Sequence, residues 1–479
     1  MDFGLYTAVK GLLASQRSLY ITSHNIANSN TKGYTRQEGA QRATTPFNIP
    51  GMGFLGSGTE IYNVIRIRDA YVDIKYWNES ASMGEWSVKM DILTEIEKLF
   101  GEPSDSSFRQ YLDDFYKSLE DMSKNPANMS YREPVRENAL AFTKHINGVA
   151  QRLIELRREV GFAIDARVES VNSLASQIAI LNRQIYANEL EGRHANDLRD
   201  KRDLLIDELS KIVNIRVHES DDGKYRVSIG GVTLVDHLDV SLLKAEEDPS
   251  NGNIVIKWGN GSEAEVHGGE LKGFLDLYNG DGNSNSYRGI KYYQNRLDEF
   301  AAGFAKGFNE IHRLGYTLGD NGYGVTSGIN FFAGSGNDPD NIRAINITIS
   351  DEIMDDLRNI AAASNPEGSP EDNGNLLNLI SQRNTGVGFG FNSTPDDFIK
   401  SIMSNYAVDS IQSKRMHETQ NLILKNIESK RSSISGVSYD EEMANMVKYQ
   451  QAYIASARMI NTLDEIMDLV VNNLGLFGR

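Results

Sequence analysis

The chain has 479 residues, a net charge of −17 and no cysteine. Its length predicts about two to four domains, each able to bury a core, and its acidic balance argues against nucleic acid or an anionic membrane surface as the main partner. Without thiols, the chain has no disulfide, no thiolate metal site and no cysteine nucleophile.

Residues 1–45 are predicted to contain a long helix, because no proline interrupts them. Their start lacks the basic and apolar regions of a cleavable signal peptide, and no apolar run in the chain approaches the roughly 20 residues of a membrane span. Apolar residues recur at alternating spacings of four and three, the pattern of a heptad seam. The residues of this seam that we predict to form an interface are Leu5, Val9, Leu12, Leu19 and Ile26.

The middle of the chain changes its pattern several times. Helical spacing dominates residues 83–212 and includes one long bundle helix. Alternation with a period of two then predicts a small β domain at about 213–269. Helical spacing resumes from Leu271 to about His312, and a stretch rich in glycine and asparagine predicts further strands and turns in residues 316–369.

From Pro395 onward the chain is predicted to be helical to its end, with a break at Gly436. Ser438, followed three residues later by Glu441, is a capping-box pattern that begins the last helix. This helix repeats the spacing of the first one, and its predicted interface residues are Met446, Tyr453, Ile460, Met467, Val471 and Leu474. Apolar stripes of this width are unfavourable on lone helices. We therefore expect the two ends to meet, within one chain or between copies.

Charge also differs between the two ends. Residues 1–45 carry five basic and two acidic side chains, whereas residues 437–479 carry three basic and six acidic ones. Opposite charge favours their pairing. We predict a mainly α chain with β-rich insertions, an α+β fold in discontinuous layers: the terminal helices paired as a coiled coil, a central helical bundle and a small outer β domain. The corresponding domains are 1–75 with 437–479, 76–212 with 270–315 and 370–436, and 213–269 with 316–369.

A motif at residues 23–37 resembles the N-terminal signature of bacterial flagellar axial proteins. In that signature an Asn-Ile-Ala-Asn core leads to Asn-Thr-x-Gly-Tyr, and the matching residues are Asn25, Ile26, Ala27, Asn28, Asn30, Thr31, Gly33 and Tyr34. The continuation Thr35-Arg36-Gln37 resembles the hook-associated protein 1 family more closely than the hook or rod proteins. Further stretches similar to this family lie at 65–69, 196–203, 309–315 and 435–458.

The resemblance implies a structural protein, and not an enzyme, that assembles as a ring at the hook tip and joins hook to filament. The implied partners are further copies of the chain, the hook protein, a second hook–filament junction protein, and an export chaperone at the C-terminal helix. The implied location is the extracellular flagellum, reached through the flagellar export apparatus. Two alternatives stay open: another hook or rod component, or a cell-wall hydrolase or adhesin exported by the same route.

Two other motifs suggest ligand binding only weakly. Residues 51–56 fit the dinucleotide pattern G-x-G-x-x-G, but no helix is predicted after them, so we interpret them as a turn. Asp281 opens a stretch similar to a calcium loop. There Ser286 and Tyr292 replace the required glycine and glutamate, which favours an ordinary surface loop.

Two clusters of charged residues have an ordinary explanation as well. The acidic residues at 351–356 and the charge run from Leu198 to Asp207 are interpreted as solvated helix faces. The eight histidines include no H-x-x-x-H pair, and no G-x-S-x-G motif is present. We therefore predict no catalytic residue, no metal ligand and no cofactor.

Overall fold

A computed structural model describes residues 2–49, 53–100, 108–190, 192, 194–220, 224–284, 286–319, 328–366, 369–385 and 393–473. Its helices are α1 (Asp2–Ala27), α2 (Ala70–Phe100), α3 (Phe108–Ser123), α4 (Met129–Glu189), α5 (Asn196–Ile212), α6 (Glu270–Asn279), α7 (Ile290–His312), α8 (Asp351–Asp355), α9 (Gly374–Ser381), α10 (Pro395–Ser435) and α11 (Tyr439–Asp468). A π-helical turn, Leu469–Asn473, follows α11. Within the described residues, no helix is both long and apolar enough to cross a membrane.

The strands are short and antiparallel. They are β1 (Gln37–Ala43), β2 (Phe47–Ile49), β3 (Gly53–Leu55), β4 (Thr59–Arg66), β5 (Arg216–Glu219), β6 (Tyr225–Ile229), β7 (Val232–Asp236), β8 (Asp239–Val240), β9 (Leu243–Asp248), β10 (Asn253–Trp258), β11 (Phe332–Ala333) and β12 (Thr348–Ile349). The prediction of a mainly α chain with β insertions is confirmed. The division into three domains stays a prediction.

A long β-hairpin lies beside α1, inside the segment expected to be a terminal coiled coil. β1 pairs with β4, from Gln37 opposite Arg66 to Ala43 opposite Thr59, and the pair β2–β3 extends the hairpin to its tip. No hairpin was predicted here from the sequence. The sequence of β1, Gln-Glu-Gly-Ala-Gln-Arg-Ala, contains no β-branched or aromatic residue, which is why alternation alone did not indicate a strand.

Helix α4 is the spine of the helical body. Its 61 residues span about 90 Å at 1.5 Å per residue, and α3, α5, α6 and α7 pack against it. The predicted long bundle helix is thus confirmed. One apolar core runs along it. At its N-terminal half the core is an aromatic cluster formed by Phe115, Phe142, Phe304, Phe308, Phe331 and Phe332.

The β domain expected at 213–269 is present as a four-stranded sheet, β5 to β8 in chain order, and a separate hairpin, β9–β10. The strands expected in residues 316–369 are short: the described part of this stretch contains the two-residue strands β11 and β12, the helix α8 and a 3-10 helix, Leu357–Asn359. Phe331 and Phe332 enter the helical core instead. The Asn309 side chain accepts hydrogen bonds from both of their backbone N–H groups at 2.8 Å, in place of a neighbouring strand.

Two predicted helix boundaries have different outcomes. The helix expected from Leu271 to His312 is interrupted between α6 and α7. A Cβ atom on Gly289, at the start of α7, would lie 2.3 Å from a backbone oxygen, so the close turn there needs glycine. The break before the last helix is confirmed. Ser438 caps α11 by accepting a hydrogen bond from the Glu441 N–H at 3.5 Å.

Candidate functional site: the terminal helix pair and its joint

The two ends of the chain pair as antiparallel helices, α1 against α11. Three contacts fix their register. A Cβ atom on Gly4 would lie 3.3 Å from the Leu463 side chain, and one on Gly11 would lie 3.2 Å from Ser456 Oγ. At the other end, Asn25 donates a hydrogen bond to Glu442 at 3.2 Å. These contacts lie at matching intervals along the two helices, as a continuous antiparallel pair requires.

Small residues close this pair on the α1 side. Gly4 and Gly11 contact α11, and the residues at the same seven-residue repeat are small or polar and buried: Ala8, Ser15, Ser18, Thr22 and Asn25. Small side chains allow two helix axes to approach closely. The seam predicted from the sequence is shifted on α1 by one residue toward the C-terminus. Its members Leu5, Leu12, Leu19 and Ile26 are only half-buried, and Val9 is exposed.

On α11 the predicted residues Met446, Tyr453, Ile460 and Met467 are half-buried and lie on the side of the helix that carries Ser456 and Leu463. Val471 is exposed in the π-helical turn, and Leu474 lies outside the described residues. Elsewhere both helices present large apolar side chains to solvent: Tyr6, Val9, Leu13 and Tyr20 on α1, and Met443, Val447, Met459 and Ile466 on α11. Apolar faces of this extent are typical of protein–protein contacts.

The signature residue Asn25 ties the pair to the hairpin. Its amide nitrogen donates to the Gln37 carbonyl at 2.9 Å and to Glu442, while its oxygen accepts from Tyr34 Oη at 2.7 Å and from the Gln37 N–H at 3.0 Å. Asn25 is buried, and both polar atoms of its side chain are satisfied by these bonds, as buried polar groups require. Burial also raises the pKa of Tyr34, so its phenol stays a hydrogen-bond donor.

The rest of the signature forms a turn that rests on α5. Gly33 has a φ of +80°, and a Cβ atom there would lie 3.3 Å from Leu204, so the turn favours glycine on both counts. The Thr35 N–H donates to Asp200 at 3.0 Å. Ile26 and Asn28 are half-buried, whereas Ala27, Asn30 and Thr31 are exposed. The structure therefore places Asn25, Gly33 and Tyr34 in these contacts, whereas Ala27, Asn30 and Thr31 lie outside them.

Helix α5 turns a row of aspartates toward the terminal segment. Asp200 and Asp203 are both buried, and Arg66, at the end of β4, bonds them at 2.8 and 2.6 Å. Arg68 also binds Asp203 and pairs with Asp73 of α2 at 2.8 Å. The charge run interpreted as a solvated helix face is therefore a buried ion-pair cluster, and that interpretation was wrong.

A third aspartate extends this cluster to the C-terminal half of the chain. Asp207 accepts from Arg431 of α10 at 2.7 Å and from Trp77 of α2 at 2.8 Å. Arg431 also pairs with Asp73 at 2.8 Å. The spacing of residues 200, 203 and 207 places all three carboxylates on one helix face. That spacing was visible in the sequence, but the arginines that cover it are more than a hundred residues distant.

Arg36 connects the terminal helix pair, α1 and α11, to the helical body built around α4. Its guanidinium donates to the Glu442 carboxylate at 2.9 Å. Its backbone N–H donates to the Ser435 carbonyl at 2.9 Å, and its carbonyl accepts from the Ile67 N–H at 2.9 Å. The chain enters the body beside Ile67 and leaves it beside Ser435, so both crossings are bound to one residue. We call Arg36 together with the Asp200–Asp203–Asp207 cluster the joint.

The pKa values of the three aspartates of the joint are shifted in different directions. Burial raises the pKa of Asp200 and of Asp207, and their arginine partners Arg66 and Arg431 offset only part of this effect. Burial also opposes a charge on Asp203, but Arg68, Arg66 and Arg202 together outweigh it and lower the pKa of this carboxyl. Asp203 is therefore the group that stays ionised to the lowest pH.

The weaker ligand-binding motifs have structural explanations where the structure describes them. Asp281 accepts hydrogen bonds from Ser286 Oγ at 2.6 Å and from the Asn283 N–H at 3.0 Å, which lowers its pKa to about 2 and closes its own loop. The first two residues of the glycine motif lie outside the described residues. Across the described ranges, no group of three histidine, aspartate or glutamate side chains is placed to hold a metal ion.

Comparison with known protein families separates the ends of the chain from its middle. The family described as flagella basal body rod protein matches residues 5–35, and the flagellar basal body rod FlgEFG protein C-terminal family matches residues 428–474. These segments contain α1 with the signature and α11. The flagellar hook-associated protein FlgK helical domain matches residues 93–332, which include α3 to α7.

Full-length relatives give the same assignment. The chain is 31% identical to flagellar hook-associated protein 1 of Bacillus subtilis, over 99% of both chains, and 26% identical to that of Salmonella typhimurium, over 97% and 98%. Its fold is similar to the flagellar hook junction protein FlgK from Burkholderia pseudomallei, with a TM-score of 0.64 at 15% identity, covering 76% of this chain and all of the other. The chain therefore belongs to the flagellar hook-associated protein 1 family.

Proposed function

We propose that this chain is a structural subunit of the bacterial flagellum that forms the junction between hook and filament and assembles through its terminal helix pair. One observation carries this proposal. The pair closes through small residues, and larger apolar side chains such as Leu13, Tyr20 and Met459 are left exposed. Burial of a fully exposed large apolar side chain contributes roughly 1.5–3 kcal/mol, and these side chains, which are 47–73% exposed, would contribute a corresponding part of it. Contact between subunits is thus favoured along both helices.

The joint suits a mechanical role. A junction transmits load from the hook below to the filament above, and in each subunit that load passes between the terminal pair and the body. At the joint, both chain crossings are bound through Arg36, and arginines from β4 and α10 pair with one row of aspartates on α5. Ion pairs shielded from water keep a fixed geometry. We infer that the joint holds the terminal pair at a set angle.

The partners follow from the same surfaces. Further copies in a ring, the hook protein and a second hook–filament junction protein would cover the apolar faces of α1 and α11. Before assembly the exposed face of α11 would be covered by an export chaperone, and the chain would leave the cell through the flagellar export apparatus. The family membership and these exposed apolar faces support this assignment.

We also propose that the chain has no catalytic activity. Among the carboxylates, the strongest candidate for a catalytic role is Asp298. It lines a cavity of about 580 Å³ together with Asp165. Burial raises the pKa of Asp298, while its carboxylate accepts a hydrogen bond from the Ala344 N–H at 2.8 Å. That bond gives it a structural role, anchoring a loop to α7. A peptidoglycan-release assay on the purified chain decides the question, because turnover that Asp298→Asn abolishes would overturn the proposal.

Deletion of the gene in its host tests the proposed function. Cells without the chain are expected to keep their hooks and to release filament subunits into the medium, and the wild-type gene should restore filaments. Normal filaments in the deletion strain would contradict the proposal. Loss of the hook as well would favour the alternative of a hook or rod component.

A further inference from the structure

Residues 357–363, which we call the strap, lie against the start of α4 and the end of α7. The strap begins with the 3-10 helix Leu357–Asn359, and its last residue, Ala363, exchanges backbone hydrogen bonds with Tyr316 at 2.9 and 3.3 Å. Residues 360–362 are buried although they belong to no helix or strand. Buried backbone groups outside regular structure need other partners.

Among the described residues, side chains from three helices hold the strap by its backbone. Arg132 of α4 donates to the Ile360 carbonyl at 2.8 Å. Asn375 of α9 donates to the Ala361 carbonyl at 2.8 Å. His312, the last residue of α7, accepts a hydrogen bond from the Ala361 N–H at 3.0 Å through Nε2. Of these three side chains, only the imidazole ordinarily changes its charge between about pH 5 and 8.

The hydrogen bonds of His312 fix its tautomer. The ring is fully buried, and Nδ1 lies 2.8 Å from the carbonyl oxygen of Ile329, which can only accept. Nδ1 therefore carries the proton, and Nε2 accepts from the Ala361 N–H. A second proton, on Nε2, would point at that N–H, so two donors would face each other. The charged ring cannot keep its bond to the strap.

The surroundings of His312 also oppose a charge on its ring. Phe308 and Phe331 pack on it, with ring centroids 6.4 and 5.5 Å from its own. The Arg132 guanidinium, a second cation, acts on the ring from α4, and Asp356, next to the strap, acts in turn on Arg132. Burial, and to a smaller extent Arg132, lower the pKa of His312 to about 4. Opening of the strap admits water and restores the ordinary pKa, so opening takes up a proton and acid favours it.

We propose that the strap is an acid-sensitive switch: protonation of His312 breaks its bond to Ala361 and releases residues 357–363 while the rest of the body stays folded. Segments held by few regular hydrogen bonds open at a lower free energy than the whole chain. Release would uncover the buried apolar side chains of residues 360–362.

This inference goes beyond the proposed function, because the strap lies far from the joint. Arg132 holds the strap near the start of α4, whereas Asn182 bonds Arg202 of α5 near the end of the same helix. The fifty residues between them correspond to about 75 Å. Opening of the strap therefore leaves the joint and the terminal pair unchanged.

Hydrogen–deuterium exchange of the purified full-length chain tests the switch between pH 7 and pH 5. Peptides from the strap report its opening, peptides from α5 report the joint, and rates are corrected for the intrinsic pH dependence of amide exchange. With a pKa of about 4 in the closed strap and about 6.5 in the open one, protection of the strap should fall about twentyfold. The strap should also exchange faster than α5 at both pH values, since it opens on its own.

His312→Gln is the matched variant. Its side-chain amide can donate to Ile329 and accept from Ala361 but does not titrate, so protection of the strap should change less than about twofold over this range. His267→Gln removes an exposed histidine and should keep the wild-type fall. An equal fall in the wild type and in His312→Gln would overturn the proposal.

The wild-type profile is sufficient if His312→Gln does not fold. Protection of the strap should be level above about pH 7 and should fall by up to about tenfold per pH unit below about pH 6.5. A level profile down to pH 5 would overturn the proposal. Equal exchange rates of the strap and α5 would also overturn it, because they would indicate unfolding of the whole chain. Normal filaments in the deletion strain would contradict the proposed function but leave this switch unaffected.

Discussion

Asp203→Asn should destabilise the joint strongly. Asp203 is buried, and its carboxylate pairs with Arg66 at 2.6 Å and with Arg68. The amide keeps the shape of the side chain but removes the charge, so two largely covered guanidinium groups lose part of their compensation. Breaking a buried ion pair by removing one partner costs about 3–5 kcal/mol. The loss is limited because Arg66 retains Asp200 and Arg68 retains Asp73, so we expect about 3 kcal/mol.

Urea unfolding followed by tryptophan fluorescence measures this loss. Trp77 donates a hydrogen bond to Asp207 at 2.8 Å, so its emission reports the state of the joint. The matched control is Asp236→Asn, which removes the partner of Arg226 from an exposed ion pair at 3.1 Å. Exposed pairs contribute about 0–1 kcal/mol. If both variants lost the same free energy of unfolding, or if Asp203→Asn lost less than about 1 kcal/mol, the assignment of the joint would be refuted.

Three further predictions concern other parts of the chain. Burial lowers the pKa of His312 to about 4, so its stability contribution is complete above about pH 6.5 and about 3 kcal/mol is lost as the pH falls from there toward 4; unfolding of His312→Gln across this range should lack that slope. Gly33→Ala should lower the free energy of unfolding by about 1–2 kcal/mol in a denaturant titration, because φ there is +80°, whereas Gly148→Ala, in a helix with open space around it, should not destabilise. Ile460→Asp places a charge in the terminal pair and should prevent incorporation into flagella while circular dichroism still reports a folded body; unfolding of the whole chain would contradict this.

Local sequence signals predicted the helices well. The absence of proline indicated long helices at both ends, and the pattern from Ser438 to Glu441 located the start of α11. These signals act within a few residues of the chain, so they hold without knowledge of the fold. Strand β1 gave no such signal, because its pairing with β4 compensates for a composition that does not favour strands.

The candidate site was predicted only in outline. A seven-residue repeat on α1 meets α11 at Gly4 and Gly11, one residue before Leu5 and Leu12. The assignment of Leu5 and Leu12 to a subunit interface stays a prediction. Periodicity alone does not tell which face of a helix meets a partner helix when both faces carry the repeat. The small residues allow the two helices of one chain to approach closely. That the larger residues contact other subunits stays a prediction.

The joint could not be predicted from the sequence. Asp200 and Asp203 stand in a run of charged residues that is typical of a solvated helix face, and nothing near them in the chain indicates burial. Their partners Arg66 and Arg68 are 134 and 135 residues away along the chain. Likewise, the flagellar signature identified the family but gave no role to Asn25, whose four hydrogen bonds depend on the positions of β1 and α11.

The central claim is that exposed apolar faces of the terminal pair assemble the chain at the hook–filament junction. Its most direct test compares Leu13→Asp with Leu314→Asp in the deletion strain, because both residues are exposed and only Leu13 lies on the terminal pair. Immunoblots of isolated flagella measure incorporation, and filament length measures function. We expect Leu314→Asp to behave as wild type and Leu13→Asp to be exported but absent from flagella. Wild-type incorporation of Leu13→Asp would contradict the claim.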